Sequence, residues 1–547
     1  MDSERLEKHN TLVKRLESKE NIFLIPEPVK LTITSGEFSL NKDTIIQIDL
    51  ELKKVAQYLK GLLSTSTGFD NQISVMTSQD YQENAIILRF NADLDNLGEE
   101  GYNLEVTSDK VIISASSSAG VFYGVQTLRQ LLPSEIEMAA LVDQIEWTVP
   151  CVKIEDYPRF SWRGFMLDEG RHFLGKEVVK RMLDLLALHK MNVFHWHLTE
   201  DQGWRIEMKK YPRLVEIGSK RKETQIGGFL SKKRDPTPHS GYYTQEDIKE
   251  IVSYSTERFI KIIPEIDMPG HSMAVLTAYP ELSCTGGPFE VQTTFGIKKE
   301  VFCPGKERLF TFLQDVLNEV MELFPSEIIH IGGDEVPKDR WKECIDCQAR
   351  IKKEGLKNEH ELQTYFTNRI ASYLYAHGRK LMGWNEILDD NLAGNSIAQH
   401  WLRGKNKVFD HLRKGRKFVM SRFFYCYLDY NYYLTPLRKA YAFEPIPKKL
   451  EKEYHQNVLG LEAPCWTEWI PNVNRLDWQV FPRLTAHAET GWTAKGKKNY
   501  RSFKKRLEHF LRRLDHLGVQ YARKEETDPS LIRRIIKIFT VLKPPLK

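Results

Sequence analysis

No stretch of these 547 residues is apolar and long enough to cross a bilayer, a task that takes about 20 mostly apolar residues. The opening segment, "MDSERLEKHNTLVKRLESKE", also lacks the apolar core of a signal peptide. The sequence therefore fits either a cytoplasmic protein or an exported one whose signal has been removed. A strong charge imbalance is missing too: 79 Lys and Arg against 74 Asp and Glu leave a formal net charge of +5. That surplus sits in short runs such as "KRKE" and "SKKRD", which read as solvated faces. With no basic stripe interleaved with aromatics, nothing points to nucleic acid.

Cysteine is scarce and odd in number. The seven positions, Cys151, Cys284, Cys303, Cys344, Cys347, Cys426 and Cys465, exclude a disulfide framework. Cys344 and Cys347 form one C-x-x-C, but a structural zinc needs four ligands and no second pair follows at a suitable spacing. The expectation is therefore no metal. A Cys284–Cys303 bridge across one loop stays open.

What is present is an alternation. Residues 22–150 carry short β-rich runs, "TIIQIDL", "AIILRF" and "YNLEVTSDKVIISASS", with the helical "AGVFYGVQTLRQLL", and read as a small α+β domain after an N-terminal extension, 1–21. From "YPRFSWRG" onward the pattern changes. Eight strand-like segments follow, "WRGFMLD", "NVFHWHL", "FIKIIPEID", "EIIHIGGDE", "KLMGWNE", "SIAQHWL", "KFVMSRF" and "NVLGLEAPCW", with several amphipathic helices between them. This predicts an α/β fold, a (β/α)8 TIM barrel over 151–520, with a basic C-terminal tail, 521–547. A doubly wound open sheet would show the same alternation.

The ends of those strands favour the barrel. They carry "LDEGRHF", "HWHLTEDQGW", "EIDMPGH", "GGDE", "GWNE", "HWL", "YCYLDY" and "CWTEW", and only a barrel gathers all its carboxyl ends at one mouth; an open sheet spreads them along an edge. Six tryptophans, Trp196, Trp204, Trp384, Trp401, Trp466 and Trp469, fall at these ends and are expected to line the mouth. Indole faces with carboxylates and an arginine suit a neutral polyhydroxylated ligand, a carbohydrate.

In "EIIHIGGDEV" the strand passes through two glycines, where the backbone can bend tightly, to the adjacent acids Asp334 and Glu335. Most glycosidases set two carboxyl groups on opposite sides of the scissile bond, and neighbours leaving one strand are poorly placed for that. The difficulty vanishes if the substrate supplies the nucleophile: Glu335 protonates the leaving oxygen, a 2-acetamido carbonyl attacks C1, and Asp334 orients the acetamide.

Six motifs in order, "LDEGRHF", "HWHLTEDQGWRIE", "EIDMPGH", "HIGGDEV", "YLDY" and "CWTEW", resemble glycoside hydrolase family 20, the β-N-acetylhexosaminidases, over residues 22–515. The resemblance implies an exo-acting, retaining enzyme that removes terminal GlcNAc or GalNAc through an oxazolinium intermediate, without a cofactor. It implies Asp334 as the acetamide-orienting carboxylate and Glu335 as the general acid/base. Arg171 and Glu468 would hold the far hydroxyls, while Trp384, Trp401 and Trp466 would wall the pocket. Tyr427 would donate to the acetamide oxygen and Asp429 accept from a hydroxyl. His271 would link Glu335 to Glu200, where the family often has Asp. The implied partner is an oligosaccharide or glycoconjugate ending in a β-linked N-acetylhexosamine.

Other readings stand beside this one. A lacto-N-biosidase or a transglycosylating enzyme would use the same motifs. His195 and His197 at i and i+2 share a side of their strand, and with His271 and His400 also near strand ends they could serve a metal-dependent barrel hydrolase. A non-catalytic sugar-binding protein is the third alternative.

Overall fold

The computed structural model describes residues 22–77, 81–402 and 404–535; the extension predicted at 1–21 and the last residues of the predicted tail lie outside them. The chain divides into two compact units.

In the first unit, Lys30–Ser39 (β1), Ile45–Ile48 (β2), Ile73–Val75 (β3), Ala85–Phe90 (β4), Tyr102–Val106 (β5), Lys110–Ala115 (β6) and Thr148–Asp156 (β7) form one sheet in the order β1-β7-β5-β6-β4-β2-β3. Helices Lys53–Thr67 and Ser118–Leu131 accompany it. The boundary expected at residue 150 cuts through β7, which pairs along its length with β1 and β5. The alternating apolar residues of this strand serve the first sheet, so the second unit begins at Phe160. Residues Ala488–Gln520, assigned from sequence to the barrel, cluster with the first unit.

The second unit is a closed barrel of eight parallel strands: Trp162–Asp168, Val193–His197, Lys261–Glu265, Ile328–His330, Lys380–Trp384, Ile397–His400, Phe418–Met420 and Val458–Cys465. Each lies within its predicted segment. The eighth strand pairs back onto the first, Cys465 opposite Leu167, which rules out the open sheet. Trp162, Val193, Ile263, Ile328, Met382, Ile397 and Val419 form one apolar cluster, with Leu459 against it, so every strand contributes. This plug fills the interior below the mouth.

Outside the strands, helix Glu307–Leu323 buries Phe310, Leu313, Leu317 and Val320 along one face, the stripe that holds a helix to its sheet. Helix Gln245–Thr256 starts at a reciprocal cap between Thr244 and Asp247, which satisfies backbone donors left free at its first turn. The predicted tail begins with packed residues: Tyr521 and Ala522 are buried, and the Ala522 N–H donates to the Phe481 carbonyl. Among the described residues no helix is long and apolar enough to cross a membrane.

Candidate active site

The carboxyl ends of the strands surround a cavity of about 2250 Å³ lined by Arg171, Glu200, His271, Asp334, Glu335, Trp401, Tyr427, Asp429, Trp466 and Glu468. Ten of the eleven residues singled out in the sequence thus meet at one mouth. The eleventh, Trp384, is only 1% exposed; its indole N–H donates to Glu265 at 2.9 Å and its ring tilts against Trp466 at 5.7 Å. Of the other tryptophans expected there, Trp469 lines the cavity. Trp196 and Trp204 do not: both are buried, Trp196 against Tyr243 and Phe324. A side chain one residue out of phase on a strand faces the surrounding helices instead of the interior.

The turn carrying the two acids depends on its glycines. Gly332 and Gly333 have φ of +66° and +89°, in the left-handed region that disfavours side chains. A Cβ on Gly332 would fall 1.8 Å from Asp267 Oδ1. Glu335 itself has φ of +50°. After this bend Asp334 turns inward, 9% exposed, whereas the Glu335 side chain keeps 36% exposure. One acid faces a walled interior and its neighbour stays half-open to the cavity.

Behind Glu335 lies a chain of charged groups. His271 Nε2 is 3.8 Å from Glu335 Oε2, and His271 Nδ1 is 2.7 Å from Glu200 Oε1. The side chain of Glu200 reaches the ring despite its extra methylene, and its other oxygen is 3.1 Å from Arg171 Nη2. Asp201 Oδ2 stands 3.5 Å from the same imidazole nitrogen. Burial alone would lower the His271 pKa, but the Glu200 charge and these hydrogen bonds override it and hold the ring well above the ordinary imidazole range. Glu200 is held well below the carboxylate range, its burial outweighed by Arg171 and His271.

Asp334 has the opposite environment. Burial pushes its pKa up to about 8, partly offset by His271 and reinforced by Glu386. Asp267 is also raised, by burial and then by Asp334. The sequence reading missed Asp267 and Glu386 as site residues, although both lie in quoted motifs, "EIDMPGH" and "GWNE". Glu386 also accepts from the indole N–H of Trp401 at 2.9 Å, fixing that wall. The remaining wall is aromatic: Trp401 stacks on Tyr427 at 6.0 Å. The Arg171 guanidinium lies 4.7 Å above the Trp466 ring, an attractive position over the negative ring face.

His195 and His197 do point to one side, but into the barrel interior, where both are fully buried. His195 is 2.8 Å from Glu462 and 3.1 Å from Glu265, and His197 is 2.5 Å from Glu265 and 3.2 Å from Glu200. Burial would depress His195, yet Glu462 and Glu265 lift its pKa to about 9. These rings are committed to carboxylates beneath the mouth, so the sequence's H-x-H pair is part of a buried ionic layer.

The fold also gathers cysteines that the sequence leaves apart. Cys284 and Cys303 are free thiols, and the C-x-x-C pair lacks partners only in sequence: all four sulfurs come within 4.8 Å of one another. Cysteines drawn from two loops carry no spacing signature.

Comparison with known proteins agrees with this geometry. The family model "Glycosyl hydrolase family 20, catalytic domain" matches residues 160–495, and "Glycosyl hydrolase family 20, domain 2" matches 21–157. A β-hexosaminidase of Porphyromonas gingivalis is 42% identical over 520 residues, covering 92% of this chain; the chain spans 65% of that relative's length. The β-N-acetylhexosaminidase structure of Streptomyces coelicolor A3(2) superposes with a TM-score of 0.80 at 30% identity, covering 93% of this chain and 99% of that one. An exo β-N-acetylglucosaminidase of Vibrio harveyi, solved with N-acetylglucosamine, gives 0.80 at 32% identity, covering 92% and 78%.

Proposed function

The chain belongs to glycosyl hydrolase family 20, and from that membership we propose an exo-acting, retaining β-N-acetylhexosaminidase that releases terminal GlcNAc or GalNAc. The observation that carries this reading is the division of labour at one bend: Asp334 buried, Glu335 half-open with His271 behind it. Family 20 enzymes are a recognised substrate-assisted exception to the two-carboxylate rule.

In the first step Glu335 gives its proton to the glycosidic oxygen while the acetamide carbonyl oxygen attacks C1. The C1–O bond breaks, the leaving alcohol departs, and positive charge spreads over the oxazolinium ring. Asp334, acting in its ionised form, is the carboxylate beside that charge, and Tyr427 donates to the acetamide oxygen. In the second step Glu335 takes a proton from water as the water attacks C1 from the face the leaving group left. Two inversions give net retention. Because Asp334 is buried, a carboxylate there aimed at developing charge acts more strongly than in solvent.

Arg171, held by Glu200 and Asp168, and Glu468 serve the hydroxyls of the terminal ring, and this pair favours release of one sugar over a disaccharide. The cavity is larger than a single ring requires. Its remaining lining includes Phe229, Leu230 and Ile297, which suits the departing part of the glycan. The V. harveyi enzyme bound to N-acetylglucosamine supports the choice of sugar. Proton NMR of the first-formed monosaccharide tests the mechanism: the β-anomer is expected, and the α-anomer appearing first would refute it.

A further inference from the structure

Four of the seven cysteines converge in the barrel unit, away from the sugar site. Cys303 Sγ lies 3.6 Å from Cys344 Sγ and 3.5 Å from Cys347 Sγ, and Cys284 Sγ is 3.8 Å from Cys347 Sγ. These separations exceed a covalent S–S bond of about 2.05 Å. They match the edge of a tetrahedron whose four sulfurs each stand ~2.3 Å from a central zinc, which is ~3.8 Å. Cys303 and Cys347 are fully buried and Cys344 nearly so, within an apolar shell of Val301, Trp341 and Leu362.

The backbone is shaped around the cluster. Cys344 precedes helix Ile345–Lys353 and Cys347 lies in its first turn. Gly305 packs so closely on this turn that a Cβ there would sit 2.2 Å from the Asp346 carbonyl carbon. Nearby, Lys306 Nζ donates to the carbonyls of Glu281 and Ser283, placing positive charge beside a site that becomes anionic when loaded.

We propose that Cys284, Cys303, Cys344 and Cys347 bind one structural zinc ion. Zn²⁺ enters, four thiols release four protons, and a closed tetrathiolate complex forms with no position open to substrate. Its role is to join two active-site loops. The segment bearing Cys303 is tied to the turn before His271, because the Phe302 N–H donates to the Pro269 carbonyl at 3.0 Å. The segment bearing Cys344 and Cys347 follows Glu335 through Val336, which packs against the cysteine cluster. The zinc thus links the loop of His271 to the loop of Glu335 as a positioning element.

The full chain, purified under reducing conditions, should contain one zinc per chain by elemental mass spectrometry. Cobalt loading should give the intense visible absorption of a tetrahedral thiolate site. Cys303→Ala and Cys347→Ala should each lose the metal, and Cys426→Ala should keep it. Substoichiometric traces of zinc in wild type, an intact mass and alkylation pattern indicating two disulfides, or zinc retained by both ligand variants would overturn the proposal. Should the ligand variants fail to fold, the wild-type zinc content and cobalt spectrum decide it.

Discussion

Glu200 Oε1 sits 2.7 Å from His271 Nδ1, so the acid just beyond the second barrel strand charges the imidazole whose other nitrogen faces Glu335 at 3.8 Å. The same carboxylate also holds Arg171, so it touches both the residue behind the proposed acid and the residue proposed to bind the sugar hydroxyls.

Glu200→Gln removes that charge. The His271 titration, followed by NMR, should move to lower pH, and kcat/KM should fall about 10- to 100-fold, as expected for loss of a charged hydrogen bond worth ~1.5–3 kcal/mol. Glu200→Asp should recover part of the rate. An unchanged His271 titration in the Gln variant would show that the relay does not operate.

Glu335→Gln tests the acid. Substrates with alkyl leaving groups should lose about 10²- to 10⁴-fold in rate, the range of general acid catalysis. Nitrophenyl glycosides, whose leaving group needs little protonation, should lose much less in the first step. Equal losses for both would assign Glu335 another role.

For Asp334→Asn the prediction separates transition-state from ground-state effects. A stable thiazoline mimic of the oxazolinium should inhibit wild type and bind the variant far more weakly. Removing a preorganised group of this kind costs about 2.7–4 kcal/mol in rate, whereas binding of neutral product should change little. Trapping with a 2-fluoro sugar supplies the converse check, since a stoichiometric carboxylate adduct would indicate an enzyme-borne nucleophile.

The raised pKa of Asp334 also predicts a stability slope. The native group, at about 8, holds a proton that the unfolded one, near ~3.9, has already lost. Between these values the folded state binds more protons, so this contribution to stability is present at low pH and is lost as pH rises toward 8. The difference in urea midpoint, wild type minus Asp334→Asn, should therefore fall from pH 5 to pH 8. A difference that rises over that range would contradict the assignment.

Eight barrel strands, the "GGDE" bend and ten of the residues lining the mouth were legible in the sequence, because strand periodicity, paired glycines and polar strand ends are local patterns. Proximity across the chain was not. Asp267 meets Asp334, and four cysteines meet each other, only when barrel closure brings successive loops together; no spacing rule records distances between loops of different strands. Facing was equally hidden: Trp196 and Trp466 both end strands, yet one packs outward on Tyr243 and the other lines the cavity. Strand registration around the closed barrel decides which face of each strand is interior. The residue types that can do the chemistry were determined by sequence, whereas the raised proton affinities of Asp334, caused by burial, and of His271, caused by the Glu200 charge against its burial, arose only from the folded arrangement.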